Sequence, residues 1–231
     1  MNDLVKYALN DGIATLTLSN GKVNALSPEV IAEFNAALDQ AQAAGAIVIV
    51  TGQPGIFSGG FDLKVMMKGP ESAIALVSAG SALTRRMLAH PQPIIAACSG
   101  HAVAKGAFLL LASDYRLGVS GDFSIGLNEV QIGMTMHHVG ITLARDRLSP
   151  AAFQRSVITA EMFNPQGALT AGFLDRVVAP EELMPAALAV AQQMKKLNPS
   201  AHRATKLKAR RVLLEALDSA MEADRTSSLI G

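Results

Sequence analysis

Apolar and polar positions change their period along the chain, and the changes mark out its elements. Residues 13 to 18, IATLTL, alternate apolar and polar with β-branched members and run into Asn20-Gly21, the pattern of a strand entering a turn. From Ser27-Pro28-Glu29, which supplies a cap, a first-turn proline and an early acid, the residues Val30, Ile31, Phe34, Ala37, Leu38 and Ala41 recur at helical spacing until Gly45. IVIVTG at 47 to 52 is wholly apolar over a strand's length, which predicts burial on both faces, and QPGIFSGGFDL follows as a loop. Residues 71 to 90 predict a helix stopped by Pro91 and Pro93, and PIIAACSG at 93 to 100 a second buried strand. AKGAFLLLASD then reads as a buried helix, YRLGV at 115 to 119 as a strand and SIGLNEVQIG at 124 to 133 as a loop. Beyond it the period is mostly helical: SPAAFQRSVITA opens on Ser-Pro, FLDRVV gives a short strand after Gly172, and long helices are predicted over 181–197 and 201–223. Strands alternating with helices early and helices alone late imply an α/β or α+β core with a helical C-terminal section.

Composition narrows the partners. Half of the 231 residues are hydrophobic and 17% are charged, so much apolar surface packs inside or against other subunits. A net charge of +1 and 4% aromatics argue against a nucleic-acid or anionic-membrane surface. The single Cys98, within an apolar run, reads as a small buried hydrophobe in a reducing compartment. The N-terminus has no run long enough for a signal or membrane helix, so the expected location is the cytoplasm.

Two strands release the chain into glycine loops that open helices: IVIVTG into FSGGFDL, and PIIAACSG into HAVAKGAF. Glycine admits close backbone approach, and the first amides of a helix have no internal acceptor, so such loops can hold an oxyanion; the alternative is that Gly59, Gly60 and Gly106 only turn or cap the chain. Neither loop fits a Walker or dinucleotide pattern. Glu129 stands among Ile125, Leu127, Val130 and Ile132. Desolvation there would raise its pKa toward that of a general base, and an exposed loop acid or a helix-cap acceptor near Asn128 is the alternative. His137 and His138 lack further ligand spacing and read as structural or pocket-lining, and His101 reads as a turn residue, with a place in the site lining as the alternative. Met66, Met67, Met134 and Met136 form either a flexible acyl pocket or core filling, and Asp62 reads as a helix cap. Lys206, Lys208, Arg210 and Arg211 read as a solvated face over an apolar seam, with a phosphate contact as the alternative.

These loops resemble those of the crotonase, or enoyl-CoA hydratase/isomerase, superfamily, and the resemblance runs from IATLTLSNGKVNAL through the C-terminal helices. It implies a crotonase-like α/β fold, a spiral of β-β-α units over 1–175 with a C-terminal helical trimerisation region over 176–231. FSGGFDL is similar to the first oxyanion loop, with the N–H of Phe61 as donor. SGHAVAKGAFLLLASDYRL is similar to the second, with the donor at Lys105, where the family usually has glycine. KVNAL resembles the segment whose backbone frames the CoA adenine. The implied substrate contacts are Lys22, Val23, Ala25, Ser58, Gly60, Asp62, Leu63, Lys64, Gly106, Phe108 and Asn128, and Asp114 resembles a structural aspartate. The string IGLNE is similar to that of mitochondrial-type Δ3,Δ2-enoyl-CoA isomerases and makes Glu129 the acid/base. Phe108 stands where family hydratases carry a second acid. The implied activity is movement of a 3-enoyl-CoA double bond to the 2-position, by a homotrimer or hexamer with no metal or cofactor beyond the CoA of the substrate. Hydratase-like or other enolate chemistry is one alternative, and a catalytically silent crotonase-fold binding protein is another.

Overall fold

Two strands and then a helix recur along the chain, and from the second unit on a long buried strand turns a corner at glycine into a shorter one. The computed structural model describes residues 3–225. The first unit is β1 (Val5–Asn10), β2 (Ile13–Leu18) and α1 (Pro28–Ala43); the second is β3 (Ile47–Thr51), β4 (Gly55–Ser58), the short α2 (Leu63–Met66) and α3 (Pro70–Ala89). The third is β5 (Ile94–Cys98), β6 (Gly100–Val103) and α4 (Lys105–Leu111), followed by β7 (Tyr115–Val119) and β8 (Ile125–Gly126). At the corners the backbones of Gly55 and Gly100 touch so closely that a Cβ on Gly100 would overlap Gly55.

The long strands form a six-stranded sheet ordered β1-β2-β3-β5-β7-β10, where β10 is Arg176–Val178, and the short ones a second sheet ordered β4-β6-β8-β9, where β9 is Met162–Phe163. Every residue of β3 and β5 is buried, as their unbroken apolar runs require. Helices α1, α3 and α4 cover one face; α8 (Leu183–Met194) lays Leu183, Ala187 and Ala191 on Ile49, Ile95 and Leu117 of the other. The spiral of β-β-α units is present as implied. The boundary at 175 falls just before β10, which pairs in parallel with β7, so the sheet layer continues into the C-terminal section.

Several expectations need correction. β1 is an edge strand with exposed polar residues and no alternation to betray it. QPGIFSGGFDL and GHAV contain β4 and β6, four-residue strands that exist because they pair with each other. FLDRVV is a strand only over Arg176–Val178. The predicted helix 201–223 is two, α9 (Pro199–Ala209) and α10 (Arg211–Asp224), parted where Arg210 leaves helical geometry at ψ 5°. Helices α5 (His138–Arg147), α6 (Pro150–Thr159) and α7 (Pro165–Ala171) fill the stretch before β10. Lys206 is not on a solvated face: it is buried, 2.7 Å from Asp114, which also pairs with Arg210 at 2.9 Å and accepts from the Ile94 amide. Lys208 and Arg211 are exposed, and Arg211 pairs with Glu215.

Candidate active site

Because β4 and β6 are parallel neighbours, their C-terminal ends deliver the two glycine loops side by side. Leu26 donates to the Gly60 carbonyl and accepts from the Asp62 amide, so Phe61 between them is bridged without using its own N–H. Lys105 opens α4, where an N–H has no intrahelical acceptor. Its nitrogen lies only 3.4 Å from the point a Cβ on Gly60 would occupy, and Gly60 has φ +98°. Ala104 turns the second loop at φ 50°, a left-handed excursion that a non-glycine residue keeps only under surrounding constraint. Gly106 lets α4 sit against the Ser58 carbonyl, where a Cβ would overlap. Among the described residues the Phe61 and Lys105 amides are thus left without a main-chain acceptor on two neighbouring loops, a feature that an oxyanion site requires.

Glu129 follows β8, the neighbour of β6 in the second sheet. β8 pairs with β6, the Ala104 amide donates to the Gly126 carbonyl, and the chain passes through Leu127 and Asn128 to Glu129. A 3₁₀ turn over Val130–Ile132 then reverses at Gly133, φ 80°, and brings the Met134 amide back to the Glu129 carbonyl at 2.9 Å. Ile125 and Leu127 are buried as expected, but Val130 and Ile132 are exposed, so distant elements enclose the carboxylate. It is 7% exposed, and its Oε2 has no hydrogen-bond partner among the described residues. Burial pushes its pKa up to about 7, against the pull of its own backbone and of Lys105. A buried carboxylate with one oxygen unpartnered among the described residues and that pKa is chemically equipped to take a proton near neutrality.

The Lys105 side chain does not narrow the site. It runs into the core, where its Nζ donates to the Gly80 carbonyl at 2.6 Å and to the Thr84 hydroxyl. Phe108 is 2% exposed and meets the His137 ring edge-on, 5.4 Å between centroids. His137 is buried, and burial drops its pKa to about 4, which leaves a neutral ring at pH 7. The amides of His138 and Val139 donate to Asp224, a structural arrangement at the start of α5. His101 lies on β6 rather than in a turn and accepts from the Ser124 amide.

Leu63, Met66, Met67, Ala73, Ile132, Gly133 and Met134 line a pocket of about 330 Å³ beside the Glu129 turn. Met136 is not among them; it is buried in the core. Asp62 caps α2, accepting from the Lys64 amide at 2.8 Å, while the side chain of Ser58 is fully buried, bonded to the Asn24 carbonyl and the Gly60 amide. Ser58 therefore holds the shape of the loop. In the KVNAL segment Val23 is half exposed and its carbonyl accepts from the Gly59 amide; Lys22 is exposed and the Ala25 carbonyl accepts from Asn20. Asn128 is half-buried next to Glu129.

Asn24 is the residue that sequence reasoning passed over. At φ 48° its side chain donates to the carbonyls of Leu18 and Phe57 and accepts from the Asn20 amide, tying KVNAL to the first loop. Its signal was asparagine's tolerance of left-handed backbone. Asn24→Ala loses these bonds and adds backbone strain, costing about 3 kcal/mol. Thermal unfolding should fall by roughly 6–12 °C in calorimetry.

The enoyl-CoA hydratase/isomerase family model matches residues 8–228. The chain is 70% identical to an enoyl-CoA hydratase/isomerase family protein from Pseudomonas syringae, with a TM-score of 0.97 over 98% of each chain. A Mycobacterium tuberculosis protein, 38% identical with a TM-score of 0.92 over 97% of this chain and 98% of that one, is described as an enoyl-CoA isomerase in one structure. Another structure describes it as a probable enoyl-CoA hydratase. Human mitochondrial enoyl-CoA delta isomerase 1 is 27% identical over 96% of this chain and 75% of its own length.

Proposed function

The chain belongs to the enoyl-CoA hydratase/isomerase family and has its crotonase fold, and from that premise we propose that it is a Δ3,Δ2-enoyl-CoA isomerase. Glu129 takes a proton from C2 of a 3-enoyl-CoA, the electron pair passes through the double bond to the thioester oxygen, and the amides of Phe61 and Lys105 hold the resulting dienolate. The same carboxyl returns its proton to C4, which leaves the double bond conjugated at the 2-position. No proton is lost overall and no water is consumed.

The observation that carries this reading is the buried Glu129, its pKa raised to about 7, together with Phe108 at the position where, by the family resemblance, hydratases carry a second acid. Hydration requires an activated water and a separately delivered proton, whereas a 1,3-shift needs one group that moves one proton twice. The runner-up is hydration, favoured by the divided naming of the relatives. The reading includes a homotrimer or dimer of trimers in the cytoplasm, acting on acyl-CoA with no metal or redox cofactor. The exposed Ile158 and Val212 supply apolar surface for such contacts, and among the described residues no helix is long and apolar enough to cross a membrane.

Incubation with 3-enoyl-CoA and with 2-trans-enoyl-CoA separates the two. The expected result is conjugated thioester absorbance from the first without gain of water, and negligible 3-hydroxyacyl-CoA from the second. Rapid hydration of the 2-enoyl substrate overturns the reading.

The apolar pocket beside Glu129 is the proposed seat of the acyl chain. Ala73→Leu fills part of it, so kcat/KM for long-chain 3-enoyl-CoA should fall about tenfold, with short-chain substrates changed little. A kinetic series over chain length checks this.

A further inference from the structure

Helix α3 buries a stripe at helical spacing, Leu76, Val77, Gly80, Leu83, Thr84 and Met87, and one member of it has no side chain. A glycine inside a helix weakens it relative to alanine, and Gly80 sits in regular α-helix, where no left-handed turn calls for one. Packing explains it instead. A Cβ on Gly80 would stand 2.4 Å from the Phe61 Cζ, 2.5 Å from the Phe61 Cε1 and 3.1 Å from the Lys105 Cε. The bare Cα therefore admits the two residues whose amides the isomerase reading sets on the dienolate oxygen.

The contact has a second side. The Gly80 carbonyl accepts from the Lys105 Nζ at 2.6 Å and from the Thr84 hydroxyl at 3.1 Å, and Lys105 also donates to Thr84. The Lys105 Nζ lies 5.8 Å from the centroid of the Phe61 ring, so ring and lysine stem meet α3 on the same turn. Lys105 is 1% exposed, and the Phe61 ring packs against the core. Leu26 bonds the Gly60 carbonyl and the Asp62 amide on either side of Phe61. With the ring packed and the lysine enclosed, a methyl inserted at Gly80 is relieved by moving the loop that carries the Phe61 N–H.

We propose that Gly80 is a positioning residue for the oxyanion hole: its bare Cα seats the Phe61 ring, its carbonyl ties down Lys105, and one turn of α3 thereby sets the spacing of the two amides. This rests on those amides holding the dienolate oxygen. The strands that deliver the loops end at Ser58 and Val103, so the sheet pairing stops short of both donors. A helix that meets both owners through their side chains fixes the separation beyond those ends. Oxyanion stabilisation depends on donors that are set before the charge develops, which is what such a fixed stop supplies.

Gly80→Ala should lower kcat for 3-enoyl-CoA about thirtyfold, with KM changed less than about threefold and the acid limb of the pH profile in place. Infrared difference spectra of bound 2-trans-enoyl-CoA, isotope-labelled at the thioester carbonyl, read the amides without turnover. Hydrogen bonds lower the carbonyl stretch on binding, and Gly80→Ala should forfeit part of that lowering. Phe61→Leu keeps the amide but withdraws the ring tip from α3. Alone it should lower kcat about fivefold, and added to Gly80→Ala it should bring kcat back to about that same level. If Gly80→Ala does not fold, Phe61→Leu carries the test through the same carbonyl band. A native carbonyl band in a folded variant, or losses from the two substitutions that simply multiply, overturns the proposal. A carbonyl stretch that is not lowered in the wild-type protein overturns the reading of the amides and the proposal with it, so the two failures are read in different proteins.

Discussion

Glu129→Gln reduces isomerisation of 3-enoyl-CoA by about 1,000-fold or more, with substrate binding nearly unchanged. The amide is close to isosteric with the carboxylate but has no basic lone pair of useful strength, so it fills the cavity without accepting the proton from C2. The size of the loss follows from the site having no second acid: Phe108 cannot substitute, and burial keeps His137 neutral with a pKa near 4, too weak a base to take over. The same carboxyl sets the pH dependence. Its pKa is raised by burial from 4.5 to about 7, and only the ionised form abstracts a proton, so kcat/KM should climb with pH up to about 7 and level above it. A pH profile of the free-enzyme parameter, beside single-turnover rates for the variant, checks both statements. An acid limb near the ordinary glutamate value would mean that another group is the base, or that the carboxylate is open to water.

What the chain disclosed in advance follows from where the stabilising interactions lie. β3 and β5 were legible because burial on both faces demands an unbroken apolar run, and α1 because its cap, proline and apolar period are all local. β4 and β6 were not, since four residues containing glycine or histidine become strands only through pairing with partners more than forty residues away. The catalytic reading divides in the same way. The glycine loops could be read as oxyanion cradles from residue type alone, but the burial of Glu129 could not. Its neighbours Val130 and Ile132 turn outward, so the burial comes from elements distant in sequence. The resemblance, rather than local hydrophobicity, singled out Glu129 as the candidate. The direction taken by the Lys105 side chain was illegible for a related reason: it is set by the absence of a side chain at Gly80, on a different helix.

Gly60→Ala should cost kcat about 100-fold or more while leaving the global fold in place, because the substitution acts at the single point where the two loops meet. The backbone at Gly60 has φ +98°, a conformation in which an L side chain is strained. The new methyl would lie 3.0 Å from the Ala104 Cβ and 3.1 Å from the Val103 carbonyl, and 3.4 Å from the Lys105 nitrogen. None of these neighbours is the free end of a flexible chain. Ala104 is already held at φ 50°, and the Lys105 backbone is fastened through α4 and its own side chain, so relief must come from the first loop. Moving that loop swings the Phe61 amide away from its counterpart. Removing one oxyanion donor costs about 3 kcal/mol of transition-state stabilisation, which is the source of the expected factor. The loss should fall on kcat with little change in KM, since the ground-state thioester leans on these amides far less than the dienolate does. The Glu129 limb of the pH profile should stay where it is, which separates damage to the oxyanion hole from damage to the base. Steady-state kinetics across pH, with circular dichroism to confirm folding, is the measurement. A Gly60→Ala enzyme of near-native kcat would mean that the dienolate is not held between Phe61 and Lys105.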